Sequence, residues 1–199
     1  MGGLLAQGIP ADFGIVSDDA GQFNVFDHVL CWIHAERAIN RLLPMNDLQK
    51  QAVAQVREKV WSIYRQLKAY KLQPQAELAQ AIRQQFTQLT ETKTCYASLN
   101  QALKQFSKNR HELLRVLDKP YLPLHNNLSE RDIREYVRKR KISSSTRSEA
   151  GRRCRDTFAS LKKTCRKQGI SFWAYLKARL LGDNSFLPLT DLLHAAVAG

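Results

Sequence analysis

Apolar residues in the middle of the chain recur with the spacing of amphipathic helices. Between residues 46 and 118 the apolar positions advance in steps of three and four, which places them on one face of an α-helix. Three stripes follow this rule: Val53, Val56, Val60, Ile63, Leu67 and Tyr70; Ala79, Ile82, Phe86 and Leu89; and Tyr96, Leu99, Leu103, Phe106, Leu113 and Leu117. The pattern predicts a small helical bundle whose stripes form its core.

Two short apolar runs before the bundle predict β-strands. The first covers residues 13–17 and delivers Asp18 to its carboxyl end. The second covers residues 28–33 and leads into a helix beginning near His34. Runs of this length and composition are typical of buried strands.

Three further helices are predicted after the bundle. The first carries Glu130, Ile133 and Val137 at i, i+3 and i+7, a stripe expected to face the core. The second would turn four residues inward and end at Gly169, and the third would begin at a Ser171 cap. The inward residues predicted for these two helices are Cys154, Phe158, Leu161 and Cys165, then Phe172, Tyr175, Leu176 and Leu180.

An acidic residue on a core-facing stripe needs a compensating partner. Burying an ionised carboxylate costs several kcal/mol or more unless a cation offsets it, so Glu130 is interpreted as a buried ion-pair partner or a metal ligand. It could instead complete a capping turn with Asn127 or pair with Arg134 one turn on. Asp18 has an alternative too, because Asp is a preferred helix N-cap.

Positive charge is concentrated around Glu130. The 199 residues carry a formal net charge of +13, and residues 126–167 contain 14 Lys and Arg against 5 Asp and Glu. Such a concentration indicates a phosphate-backbone partner rather than only a solvated helix face, and nucleic acid is the leading candidate. The cations predicted to bind DNA are Arg131, Arg134, Arg138, Lys139, Arg140, Lys141, Arg147, Arg152 and Arg153.

The cysteines and the hydropathy exclude several classes of protein. Cys31, Cys95, Cys154 and Cys165 form no CxxC pair and no zinc-binding spacing, so we expect reduced thiols in a cytoplasmic protein. No apolar run approaches the ~20 residues of a membrane span. We therefore expect no membrane partner.

Five ordered motifs resemble one family. Ser17-Asp18 is followed by Cys31-Trp32-Ile33-His34-Ala35-Glu36-Arg37, Asn126-Asn127-Leu128-Ser129-Glu130-Arg131, Ser148-Glu149-Ala150-Gly151-Arg152-Arg153 and Gly169-Ile170-Ser171-Phe172-Trp173-Ala174-Tyr175-Leu176. Together they resemble the catalytic region of transposases of the insertion sequence 66 group. The resemblance covers nearly the whole chain in the same order.

The resemblance implies a fold and a chemistry. The fold would be α/β, mostly helical, with an incomplete RNase H-like core of about two strands and an all-helical insertion. An Asp-Asp-Glu triad would hold two Mg²⁺ ions for DNA strand cleavage and strand transfer. Asp18 would be the second acid and Glu130 the third, while Cys31 and His34 would form the CxxH element that follows the second acid.

The resemblance also sets expectations for domains and partners. Residues 1–45 would be the partial core with the second acid, 46–118 the insertion, 119–181 the core helices with the third acid and the basic segment, and 182–199 a tail. The first acid would lie upstream, so we expect a truncated chain that is inactive alone. Its partners would be transposon-end and target DNA at the bacterial nucleoid, with a homo-oligomer or an intact transposase. The alternative is a non-catalytic DNA-binding remnant that associates with or inhibits an intact enzyme.

Overall fold

A computed structural model describes residues 14–18, 27–142, 146–189 and 191, and it divides the chain into two compact units, residues 1–126 and 127–199. The first unit contains strands β1 (Gly14–Ser17) and β2 (Asp27–Leu30), helices α1 (Trp32–Asn40), α2 (Asp47–Leu72), α3 (Ala76–Glu91), α4 (Ala97–Lys108) and α5 (Arg110–Leu113), and a 3₁₀ turn (Arg115–Leu117). The second contains α6 (Asn127–Ile142), α7 (Glu149–Lys167) and α8 (Phe172–Leu181). Among these helices, none combines the length and the apolar composition that a bilayer span requires.

The two strands form a parallel pair. Ser17 lies opposite Leu30, and the Cys31 amide continues the pairing by donating to the Ser17 carbonyl at 2.9 Å. In a parallel sheet the carboxyl ends of neighbouring strands lie at the same edge. Asp18 and Cys31, the residues that follow the two strands, are therefore brought to one edge of the sheet.

The second strand is shorter than the sequence predicts. It ends at Leu30, and α1 begins at Trp32 instead of near His34, so the predicted strand over residues 28–33 is wrong at its carboxyl end. Cys31 has extended backbone angles as the N-cap, and the Trp32 amide donates to the Leu124 carbonyl at 3.0 Å. Periodicity alone does not separate the end of a buried strand from the first turn of a buried helix.

The structure confirms the helices that the apolar periodicity predicts between residues 46 and 118. Asn46 caps α2 by accepting a hydrogen bond from the Gln49 amide at 2.9 Å. All six stripe residues of α2 are buried, as are Ile82, Phe86 and Leu89 of α3. Leu99, Leu103 and Phe106 of α4 join the same core, together with Leu113 and Leu117 beyond it. The third stripe is divided between two helices, since α4 ends at Lys108 and α5 begins at Arg110.

Trp32 joins the strand segment to this bundle. Its ring is buried and lies 6.1 Å from Phe86 and 6.3 Å from Phe106, edge-on to both. Its Nε1 donates to the Leu113 carbonyl at 2.8 Å, which satisfies the polar atom that such burial would otherwise leave unpaired. The strands and the bundle consequently share one hydrophobic core.

The second unit has a much smaller core, and its inward faces differ from prediction. Its buried cluster is Cys165, Tyr175 and Leu189, with Leu161, Ile170, Phe172 and Phe186 packed around it. The Ser171 cap is confirmed, since its hydroxyl accepts from the Ala174 amide. The inward positions predicted for Cys154, Phe158 and Leu180 are wrong, because all three are exposed. In the three described helices of this unit, the buried residues are Cys165, Tyr175 and Ala178.

We expect Trp32→Ala to lower the free energy of unfolding by about 3–5 kcal/mol, because it opens a cavity in the shared core and strands the Leu113 carbonyl. Urea denaturation followed by far-UV circular dichroism measures the loss. Trp173→Ala removes the same side chain from a surface position that is 74% exposed, and we expect a change within about 0.5 kcal/mol. Equal losses in the two variants would contradict the role of Trp32.

Candidate functional site

Asp18, Cys31 and His34 line one cavity. It lies at the carboxyl edge of the two strands and has a volume of about 160 Å³. Asp18 is exposed, Cys31 is buried and His34 is half-buried on the first turn of α1. Residues from two separate sequence motifs are thus neighbours around one cavity.

The Cys31 backbone fixes this edge. Its amide donates to the Ser17 carbonyl, and its own carbonyl accepts from the Ala35 amide at 3.0 Å. Its side chain makes no capping hydrogen bond, and its thiol is free and 1% exposed. Cys31 therefore acts as a small buried residue where strand turns into helix.

His34 is oriented by Arg37 on the same helix. The Arg37 Nη1 lies 3.1 Å from the His34 Nε2. A guanidinium has only donors, so the imidazole Nε2 accepts in this hydrogen bond, and a neutral ring carries its proton on Nδ1. The contact holds the ring at the cavity.

Two polar pairs of the first unit were missed by sequence reasoning. Ser17 Oγ and His28 Nε2 lie 2.7 Å apart across the strand pair. Glu36 is buried on α1, and the Arg57 Nε of α2 donates to its carboxylate at 2.6 Å. Glu36 stands in the same motif as Cys31 and His34, but nothing in the local sequence names a partner 21 residues away.

The bundle supplies the other wall of the cavity. Ala102, Gln105 and Phe106 come from α4, and Asn109 follows directly after it. The stripe pattern assigned Phe106 to the core and gave no reason to connect α4 with Asp18. This contribution depends on tertiary packing alone.

The donor set is sparse for a metal centre. Asp18 is the carboxylate among the described residues that line this cavity. Within the described part of the chain, no group of three or more His, Cys, Asp or Glu side chains is arranged to hold a metal ion. Glu130 belongs to the second unit, so its role beside Asp18 stays a prediction.

The α6 helix does not bury the stripe that contains Glu130. None of its described residues is buried, and Ile133 is 63% exposed, so the predicted core-facing orientation is wrong. Glu130 keeps 29% of its side chain exposed and lies 4.0 Å from Arg134, one turn on. That ion pair is the alternative contact that the sequence allowed, and it lies at the surface.

Charged side chains hold α6 against α7. The Lys163 ammonium of α7 binds both Asp132, at 3.1 Å, and Glu135, while Lys167 binds Asp132 at 2.8 Å. Hydrogen bonds from Lys163 and then Lys139 lower the pKa of Glu135 to about 2, and those from Lys167 and Lys163 lower the pKa of Asp132. Two of the acids of α6 are therefore neutralised on the side that faces α7.

Another face of α6 is a row of cations. Arg131, Arg134, Arg138 and Lys141 follow at i, i+3, i+7 and i+10, which places them on one stripe. All four are exposed, and Glu130 lies at the edge of this stripe on the first turn. We call these four residues the α6 cation stripe.

Several predicted DNA-binding cations make no ion pair within the described residues. These are Arg131, Arg138, Arg140, Lys141 and Arg147. Arg152 and Arg153 both pair with Glu149 at the start of α7, at 2.6 and 3.3 Å. Lys139 pairs with Glu135 at 3.2 Å. The unneutralised charge is thus greatest along α6.

Comparison with known proteins places the chain in a family. The sequence profile of the IS66 family of transposases matches residues 15–153. The chain belongs to the IS66 transposase family. The match includes Asp18, Cys31, His34, Glu130 and every predicted DNA-binding cation up to Arg153.

A relative of the IS66 chain is the uncharacterized protein y4jO of Sinorhizobium fredii (strain NBRC 101917 / NGR234), which is 46% identical over 195 residues. The alignment covers 98% of the present chain and 61% of the relative, so the chain spans about three fifths of that protein's length. No solved structure matches the chain.

We expect Glu130→Gln in this IS66 chain to change the free energy of unfolding by no more than about 1 kcal/mol, because its pair with Arg134 is at the surface. Thermal and urea denaturation in EDTA measure the change without interference from bound metal. Glu36→Gln is the matched comparison, since it breaks the buried pair with Arg57 and should lose roughly 2–3 kcal/mol, a value reduced by the partial exposure of Arg57. A loss at Glu130 as large as that at Glu36 would mark Glu130 as structural.

Proposed function

We propose that the chain is a catalytic segment of a DDE transposase with an RNase H-like core, and that it takes part in cleavage and joining of transposon DNA. Asp18 is proposed as the second acid and Glu130 as the third. The observation that carries the proposal is the meeting of Asp18, Cys31 and His34 around one cavity at the carboxyl edge of a parallel sheet. Open α/β sheets bind their ligands at this edge.

The donor chemistry is compatible with Mg²⁺. This ion prefers hard oxygen ligands and takes only one or two protein carboxylates, and the carboxylates of Asp18 and Glu130 would hold it. When bound, it would supply positive charge to the attacking and leaving oxygens of the phosphodiester. Cys31 and His34 offer softer donors, so we assign them to shaping the sheet edge rather than to binding magnesium.

The α6 cation stripe would hold the DNA strand. Its side chains are exposed and are not among the cations that pair with Asp132 and Glu135, so they can contact phosphate oxygens. Glu130 stands at the end of this row, where a phosphate held by the stripe would meet a carboxylate. The two negative groups would repel each other unless a cation lies between them, which is the role proposed for the metal.

We expect DNA affinity to fall linearly with salt on logarithmic axes, by about 0.9 per phosphate contacted, because neutralised phosphates release counterions. Replacing Arg131, Arg138, Arg140 and Lys141 with Ala should reduce this slope by about 2–4. Fluorescence anisotropy with a random-sequence duplex at several salt concentrations measures it.

The matched control replaces Lys59, Lys68, Lys104 and Lys108 with Ala. These are four exposed cations of the bundle, so the change in net charge is the same. We expect the control to retain most of the slope. Equal slopes for the wild type and the α6 variant would show that α6 is not the DNA-binding surface.

We expect the purified chain to neither nick nor join DNA that carries the transposon ends, in Mg²⁺ or in Mn²⁺, because two acids leave an Asp-Asp-Glu site one ligand short. Gel analysis of a supercoiled plasmid with those ends detects both reactions. Asp18→Asn is the control. Metal-dependent cleavage that disappears in Asp18→Asn would show that this chain completes the site by itself, contrary to our three-acid proposal.

A further inference from the structure

The cavity beside Asp18 has the size and lining of a binding pocket for a small ring. Apolar side chains dominate its wall, among them Leu30, Ala38, Phe106 and Leu113. Its volume is about 160 Å³. In another protein, an apolar cavity of roughly 150 Å³ binds benzene, so the two volumes are similar. The space therefore fits one six-membered ring and is small for a fused pair of rings.

Polar groups in the same lining suit the edge of a nucleobase. The amides of Gln105 and Asn109 line the cavity, and the Gln105 Nε2 donates to the Asn109 Oδ1 at 3.2 Å. Amide side chains offer both donors and acceptors, and the exposed edge of a pyrimidine carries both as well. The apolar wall would contact the faces of the ring, as aromatic and apolar side chains do in pockets that take an unpaired base.

We infer that this cavity binds an unpaired pyrimidine base of the DNA strand, next to the phosphate on which Asp18 is proposed to act. The inference rests on the proposed function, since it assumes that a DNA strand reaches the sheet edge. The bundle would then contribute directly to substrate choice through α4. Phe106 and Asn109 become contacts to the base, in addition to the role of Phe106 in the core.

Three duplexes separate base binding from phosphate binding. They carry the same number of phosphates and differ at one unpaired nucleotide, which is thymidine, deoxyadenosine or an abasic site. We expect the full chain to bind the thymidine duplex about tenfold more tightly than the abasic duplex, which is within the contribution of one stacked base. The gain in affinity over the abasic duplex should be much smaller for the deoxyadenosine duplex.

Cavity-filling variants locate the effect. Ala102→Leu and Ala38→Leu each place a larger side chain in the cavity, and Ala38 is exposed, so its replacement does not disturb the core. Both should abolish the preference for thymidine while leaving the salt dependence of abasic-duplex binding unchanged. Ala54→Leu makes the same change at an exposed position of α2 and should keep the preference.

The outcomes distinguish this inference from the proposed function. Equal binding of the three duplexes by the wild-type chain, or a thymidine preference that survives in Ala38→Leu, overturns the pyrimidine pocket and leaves DNA binding intact. Loss of binding to all three duplexes overturns both proposals. A preference for deoxyadenosine over thymidine also contradicts the inference, because the cavity would then admit a fused ring.

Discussion

The insertion of Trp32 into the helical bundle is the contact on which the first unit depends. Its backbone amide is bound to Leu124 and its indole nitrogen to Leu113, so one residue ties the strand edge, the bundle and the segment before α6 together. Because Trp32 begins α1, its position also sets where Cys31 and His34 stand relative to Asp18. The packing of Trp32 thus contributes both to the core of the first unit and to the geometry of the candidate site.

The second unit is organised by charge instead of by a large core. Acids and lysines between α6 and α7 neutralise one another, while the arginines on another face of α6 are exposed. Such pairs between partly exposed groups contribute little stability each, but they orient the helix. The result is a surface on which exposed cations form one stripe along α6, with Glu130 at its edge.

The helical segment between the strands and α6 contributes side chains to the candidate site. Its packing against α1 gives the cavity beside Asp18 a wall of side chains from α4. Most residues of its stripes are buried and closely packed, so the bundle can hold Gln105 and Asn109 at a fixed distance from the sheet edge. Shape at the candidate site is therefore determined partly by residues far from it in sequence.

The sequence by itself determined the helices of the bundle and their inward faces, because the stripe from Val53 to Tyr70 is long and regular enough to exclude a strand. Its motifs also identified Asp18, Cys31, His34 and Glu130 as candidates. It did not determine the orientation of α6, since periodicity shows that Glu130 and Ile133 share a face but not what covers that face. Only the tertiary structure decided which helix walls the cavity and which acids pair across α6 and α7, because these contacts join residues that no local pattern connects.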